Sequence, residues 1–557
     1  MRWSAGGARA ARKLVQRIAT GALVAPRRTY FPGQPEFLMS AYERYGDWSR
    51  NQLLRRIAQL EATTAAAGVA APAPEPGTEK ERNVDEASTA EEKPRKKAPR
   101  PFNVSEQPCR KIALRFCYDG SRYSGLAAQP SQFTPLPTVE ELLWDALCTA
   151  RLVDPAKGMD GAGWSRCGRT DAGVSAAGQV VALWVRSRRV DERPLRNNEE
   201  PHTALPVAEG EELPYVATLN RLLPPTIRVQ AWSPVRADFS ARFDCVYRHY
   251  KYFFTEGAVH ALRWPPESAS HFAPQLDLGR MREAAARLVG EHDFSNLCKV
   301  DASKQITSFL RRVDGATIDR VERGWPVTGD SAPPTHEEEP MYVLNLRGTA
   351  FLYHQVRHIM AVLLLVGAGL EEPAVVTQLT DVRPDAVFAT KPSYEMAADR
   401  PLVLWECGFR DEDVHWRASA YDGALPPPAG AAGADDYTPA LRTVSQLHAF
   451  WTRERIHTEL ARHFVLASTP TYGKLPASTS YAEACTPQLP PPPAETPAAP
   501  RRAELVPLGN GATRPTTKYQ ALHARPRDDA PHVKNARWAE GKGRRRAERR
   551  AATERAD

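Results

Sequence analysis

Alternation of apolar and polar positions sets in at residue 110. In RKIALRFCYDG (110–120), Ile112, Leu114 and Phe116 alternate with Ala113, Arg115 and Cys117, the period-two pattern of a half-buried strand, and the run stops at an Asp-Gly turn. PTVEELLWDALCTARLV (137–153) has helical spacing instead, with Thr138 placed as N-cap and Glu141 three residues on to complete a capping box. QVVALWVRS (179–187) predicts a strand, and YVATLNRLLPPTIRVQAWSPV (215–235) a helix, a Pro-Pro stop and another strand. YRHYKYFF (247–254) predicts an aromatic strand, MREAAARLVGEHDF (281–294) a helix, MYVLNLRG (341–348) a strand and FLYHQVRHIMAVLLLVGAG (351–369) a long, mostly buried helix. Strands arrive in runs as well as alternating with helices, and no Gly-rich phosphate loop accompanies them. The pattern therefore predicts an α+β fold with a mainly antiparallel sheet flanked by helices, not a mononucleotide-binding fold.

Outside this stretch the pattern dissolves. The 49 prolines of the 557 residues crowd into two stretches that flank the patterned region. The sequence thus divides into a basic N-terminal extension (1–47), an amphipathic helix (48–62) with Leu53, Leu54, Ile57 and Leu60 on one face, and a disordered linker (63–104). A catalytic region (105–410) of two α+β subdomains follows, then a Pro/Ala-rich and basic extension (411–557) in which 439–466 has the pattern of one amphipathic helix. Disorder is expected in both extensions, and residues 187–213 have the composition of a surface insertion. Residues 1–35 are Arg-rich and lack any acidic residue, the composition of either a mitochondrial transit segment or a disordered basic arm. The expected location is the nucleus and/or cytoplasm, with a mitochondrial pool reached through residues 1–35.

Charge narrows the partner. A net charge of +8 favours an anionic one, nucleic acid or a membrane surface, and IMAVLLLVGAGL (359–370) is too short to span a bilayer. The eight cysteines form no CxxC and no histidine pair has zincin spacing, so neither a metal site nor a disulfide framework is expected.

Three polar clusters interrupt the apolar pattern. Arg169 and Asp171 stand on a glycine-flanked turn in SRCGRTDAGVSAAGQV (165–180). Tyr250 and Tyr252 are interleaved with Arg248 and Lys251 in the aromatic strand, and Arg357 sits in the apolar helix. Taken singly, each has a structural explanation: a turn-capping aspartate, a core tyrosine, a packing arginine. Taken together they match one family. GRTDAGVSA (168–176), followed by a strand, resembles the signature of the TruA family of tRNA pseudouridine synthases. The resemblance continues through ALRFCYDGSRYSG (113–125), LNRLLPPTIRV (219–229), FSARF (239–243), YRHYKYF (247–253), LVGEHDFSNL (288–297) and FLYHQVRHIM (351–360), in the same order over roughly residues 110–410. GLAAQP (125–130), GEHDFSNLCKVD (290–301), KPSYEMAADRPLVLWECGF (391–409), the helix 48–62 and the late segment 517–546 are similar to the eukaryotic branch that modifies uridines 38 and 39 in the anticodon arm.

The resemblance implies a TruA-type fold and an isomerisation without cofactor or metal, on tRNA at the anticodon stem-loop, by a homodimer. It places Asp171 as the catalytic aspartate and Arg169 in support two residues earlier. Tyr250 is the residue that stacks on the target base and takes part in proton removal, and Arg357 the partner of the catalytic carboxylate. The reaction cuts the N1–C1′ bond, turns the base and rejoins it through C5. Attack by the aspartate on C1′ or on C6, or removal of a ribose proton, all fit the residues equally. A guanidinium beside a carboxylate keeps it charged, and a uridine in a stem or loop must leave its stack to be reached. Two other readings share the fold: a catalytically silent tRNA-binding or chaperone protein, and the same chemistry at other tRNA positions. The insertion 187–213 and the long extensions depart from the family pattern.

Overall fold

The alternating runs pair into one sheet. The computed structural model describes residues 104, 107–129, 134–188, 212–256, 276–321, 340–423, 437–472, 504–516 and 518–548. The basic N-terminus, the expected helix 48–62, nearly all of the linker, most of the insertion and the last residues of the chain lie outside the described residues. Pro108–Ala127 and Pro137–Asp557 belong to one compact unit, to which everything below refers.

Nine strands of the described residues build the sheet: β1 (Cys109–Tyr118), β2 (Ser165–Arg166), β3 (Ser175–Arg186), β4 (Ile227–Pro234), β5 (Tyr247–Thr255), β6 (Gly290–Asp293), β7 (Leu310–Arg320), β8 (Met341–Gly348) and β9 (Leu402–Gly408). Their order is β4-β1-β3-β9-β5-β8-β7-β6, with the short β2 also on β3. Every pairing is antiparallel except β3 with β9, where Ser175 faces Val403 and Ala176 faces Leu404. Two antiparallel groups, β4-β1-β3 and β9-β5-β8-β7-β6, are thus joined edge to edge by that short parallel contact.

The expected capping box of helix α1 (Val139–Thr149) is present: Glu141 N donates to Thr138 Oγ1 (3.3 Å) and Thr138 N to Glu141 Oε2 (2.8 Å). Helix α2 (Tyr215–Leu222) stops before the Pro-Pro pair as expected. Helix α3 spans Leu278–Ala286 only, and the helix predicted to continue to 294 is instead broken at Gly290 (φ +118), after which GEHD forms β6. Strands β7 and β9 had no counterpart in the pattern reading. Helix α4 (Gln355–Gly367) is buried along its whole length, and the short α5 (Val375–Thr380) packs nearby against Phe294–Leu297. Helix α6 (Thr438–Tyr472) is longer than expected and leaves Leu441, Val444, Ile456, Leu460 and Phe464 exposed. Its inward contact is polar, with Asn220 Nδ2 donating to the buried Thr443 Oγ1 (3.1 Å).

The C-terminal extension holds a segment that is ordered against the core. Strands β10 (Glu504–Pro507) and β11 (Thr513–Thr516) form a hairpin, and Ala398 N donates to Leu508 O (2.9 Å). Glu371 Oε1 accepts from Tyr519 Oη and from Leu522 N, both at 2.7 Å, and Leu522 is 0% exposed within the main hydrophobic core. Helix α7 (Pro531–Trp538) is tied to residues 305–306: Asn535 Nδ2 donates to Ile306 O (2.9 Å) and Gln305 Nε2 to Asn535 O (3.1 Å). A strap of this kind needs only one well-buried apolar side chain and paired backbone groups, so a composition poor in large apolar residues does not exclude it.

Leu522→Ala should cost about 2–5 kcal/mol, the range for a fully buried leucine, and lower Tm in a thermal unfolding scan; an unchanged Tm would mean the strap does not dock. A second outcome concerns His358 in α4, whose ring meets Tyr394 edge-on and lies 3.0 Å from Lys391 Nζ. Burial, with Lys391 adding to it, pushes His358 down to about 2 from 6.5. The unfolded chain therefore binds a proton below pH 6.5 that the folded one refuses, and stability is lost as pH falls from 6.5 toward 2. The slope approaches about 1.4 kcal/mol per pH unit, so His358→Gln should lose about 2 kcal/mol less than wild type between pH 7 and 5 in urea titrations.

Candidate active site

The turn that carries Asp171 is held at every backbone position the fold can reach. Cys167 N donates to Val180 O (2.9 Å), and the Gln179 side chain meets both polar groups of Gly168, donating to its O (2.9 Å) and accepting from its N (3.4 Å). Thr170 O accepts from Leu126 N (3.2 Å) while its hydroxyl meets Tyr118 Oη (2.7 Å). Val174 N closes the turn on Asp171 O (3.1 Å). Gly173 has φ +83, and a Cβ there would come within 2.7 Å of Asp399 Cγ, so both the backbone and the space require glycine. With its backbone fixed, Asp171 leaves its side chain 26% exposed, a carboxylate presented rather than buried.

The sheet brings Tyr250 to this turn. Ala176, five residues after Asp171, faces Leu404 in β9, and Leu404 faces Tyr250 in β5, so the three lie on one row across the parallel junction. Tyr250 is 8% exposed, Phe351 meets it edge-on at 5.1 Å between ring centroids, and a Cβ built on Gly168 would lie 3.8 Å from its Oη. Burial pushes the Tyr250 phenol far above its ordinary value, with the buried Cys407 thiol adding to the shift and Asp171 contributing less. The phenol is therefore a protonated donor at neutral pH.

Arg248 shares the buried face of β5 with Tyr250, a parity that the sequence displayed but that the pattern reading passed over. Its Nη2 donates to Cys167 O (2.9 Å) and Arg242 O (2.8 Å) and its Nη1 to Thr349 O (2.6 Å). One guanidinium thus ties the catalytic turn to β5 and to the segment that leads into α4. The thiols of Cys167, Cys245 and Cys407 meet beside it, and burial pushes those of Cys167 and Cys407 up.

The expected pairing of Arg357 with Asp171 is not what the structure contains. Arg357 Nε donates to Ala397 O (2.8 Å) and its Nη2 stands 4.0 Å from Asp399 Oδ2. The group beside Asp171 is His354, with Nε2 3.3 Å from Oδ2. Arg357 belongs to the first turn of α4 and reaches the 397–399 segment, whereas His354 precedes the helix in a left-handed conformation (φ +60, ψ +12). Arg169 is exposed and, among the described residues, forms no ion pair. His354 and Asp399 were absent from the sequence-based set; a histidine three residues before the expected arginine was the available signal for the first, and nothing local marks the second. Tyr353, 40% exposed, lays its ring on that of His354 (3.8 Å) and has Lys299 and Lys304 at 5.8 and 5.2 Å from its centroid. The site therefore offers a half-exposed carboxylate, a buried neutral phenol, an exposed aromatic face and flanking cations.

Comparison with known proteins agrees with this geometry. A family model described as tRNA pseudouridine synthase matches residues 284–410. The tRNA pseudouridine(38/39) synthase of Saccharomyces cerevisiae is 39% identical over 386 residues, 68% of this chain and 74% of that protein. The Homo sapiens protein of the same name is 37% identical over 381 residues, 67% of this chain and 69% of its own length. The tRNA pseudouridine synthase A of Bordetella petrii is 35% identical over 266 residues, covering 47% of this chain and 80% of that protein. Identity at this level, across most of a relative's length and over the sheet that frames Asp171 and Tyr250, means that the chain belongs to the TruA family of tRNA pseudouridine synthases.

Proposed function

We propose that the protein isomerises uridine to pseudouridine at positions 38 and 39 of the tRNA anticodon stem-loop, with Asp171 as the catalytic carboxylate. One observation carries this reading above the others: the parallel β3–β9 contact sets a backbone-locked aspartate beside a buried tyrosine. The names of the S. cerevisiae and H. sapiens relatives supply the positions. The homodimer comes with the family resemblance, two copies contributing to one RNA-binding surface.

The target uridine leaves its stack and enters beside Asp171. The carboxylate acts on the detached or detaching base while its backbone stays fixed, so little reorganisation accompanies the chemistry. Tyr250 presents its hydroxyl in protonated form, which suits it to donate or relay a proton during C5 chemistry and unsuits it to act as a phenolate base. Arg169, exposed at the head of the turn, is placed to occupy the space the uridine vacates or to hold the displaced strand. Arg357 supports the site through the 397–399 segment, which also abuts Gly173. Phosphate contacts from the basic surface carry most of the tRNA affinity.

In cells lacking the protein, re-expressed wild type should restore pseudouridine at positions 38 and 39, and Asp171→Ala should restore none while binding tRNA about as well in filter assays. Restoration by Asp171→Ala would remove the aspartate from the chemistry, and restoration at other positions would move the substrate site. Tyr250→Phe keeps the ring and loses the hydroxyl. It should bind tRNA normally and form product on the order of 100-fold more slowly, the usual loss of a proton-transfer group, measured as tritium release from uridine C5. A wild-type rate would leave Tyr250 as a stacking platform alone.

A further inference from the structure

His354 carries three features that no role above accounts for. Its side chain is only 7% exposed, and the one polar neighbour its ring has is the carboxylate of Asp171, 3.3 Å from Nε2. Its other ring nitrogen, Nδ1, is buried and has no hydrogen-bond partner among the described residues. Buried polar atoms are nearly always paired, so the ring's placement serves the contact at Nε2 rather than its own satisfaction. The backbone is also strained. Left-handed dihedrals in a residue other than glycine cost on the order of 1 kcal/mol, and such strain persists where surrounding structure enforces it. Helix capping does not explain it, because the His354 side chain caps nothing in α4. The neighbouring Tyr353 ring, tilted 34° and 3.8 Å away, closes one face of the imidazole and limits its rotation. The cation expected to hold Asp171, Arg357, is engaged with Ala397 O and Asp399.

We propose that His354 is the positioning residue of the catalytic aspartate: its Nε2–H donates to Asp171 Oδ2, selects one carboxylate rotamer and leaves Oδ1 to act on the nucleotide. The inference rests on the reading of Asp171 as catalytic. With Nδ1 unpartnered, the contact with Asp171 alone sets the tautomer, Nε2 protonated and Nδ1 bare. The left-handed backbone aims the ring at Asp171, where a helical residue 354 would extend α4 by one position and carry the ring elsewhere. The donor is neutral, so it orients the carboxylate without cancelling its charge, which a nearby guanidinium would do in part.

The test uses the full chain and two substitutions. His354→Gly removes the donor and relieves the backbone, so Tm should stay level or rise, while kcat for tritium release from tRNA should fall about 10- to 100-fold with KM unchanged. His354→Gln keeps an N–H donor and should recover a substantial part of that loss, a rescue that a purely structural role would not give. Wild-type kcat in His354→Gly, a glutamine variant as slow as the glycine one, or a change confined to KM would each overturn the proposal. Histidine-selective NMR on the same protein gives a readout independent of turnover. His354 faces Asp171 directly, with Tyr353 on its ring and Arg357, His358 and Lys299 beyond, and Asp171→Asn should lower its titration midpoint by about one pH unit. An unmoved midpoint would show that the two groups are not paired. Absence of pseudouridine formation by wild type would instead defeat the functional reading, whatever the midpoint does.

Discussion

The parallel contact between β3 and β9 is the constraint on which the rest of the molecule depends. It is short, with Ser175 and Ala176 facing Val403 and Leu404, and it joins residues more than two hundred positions apart. Parallel neighbours need a crossover connection, and here that connection contains β4 through β8. All the intervening strands can pair antiparallel with their neighbours, but only this junction places the turn before β3 against the tyrosine of β5. Loss of register by one residue would send every side chain of β3 to the opposite face and Asp171 with it.

The site around the junction combines rigid backbone with a presented side chain. Gln179, Tyr118, Leu126 and Arg248 satisfy the polar groups of the turn from three directions, so its carbonyls and amides do not compete for Asp171. The carboxylate then has one buried donor, His354, and an open side toward solvent. Tyr250 is at the other extreme, with its phenol enclosed and kept protonated by burial. Two ionisable groups a few residues apart across a sheet are thus held in opposite states by exposure alone, the usual way in which one site supplies both an anion and a proton donor.

The C-terminal strap ties into the same construction. Leu508 accepts from Ala398, Gly509 lies against the Tyr252 hydroxyl, and that hydroxyl donates to Ala398 O (3.0 Å). Ala397 and Asp399, either side of Ala398, are the contacts of Arg357, and Asp399 abuts Gly173 of the catalytic turn. A segment more than three hundred residues downstream of Asp171 therefore backs the layer that supports it. That dependence is local in space and invisible along the chain.

What the sequence by itself determined is what short-range physics determines. Strands with one buried face show as alternation, as in Ile112 to Phe116 and Tyr250 to Phe254. The Thr138–Glu141 box encodes a helix start within four residues, and the glycine-flanked turn encodes its own backbone. Motif resemblance added the identity of Asp171 and Tyr250, since both belong to compact signatures. Tertiary structure decided the remainder. GEHD became a strand because β7 lay beside it to pair with, an outcome that a helical run ending in glycine does not announce. Arg357 turned from Asp171 to Asp399, and His354 took its place, because the left-handed residue ahead of α4 redirects one side chain while the helix fixes the other. Periodicity reports which face of an element is buried; it carries no record of which distant carbonyl or carboxylate will stand opposite a given guanidinium, and that was settled only when the two halves of the sheet met.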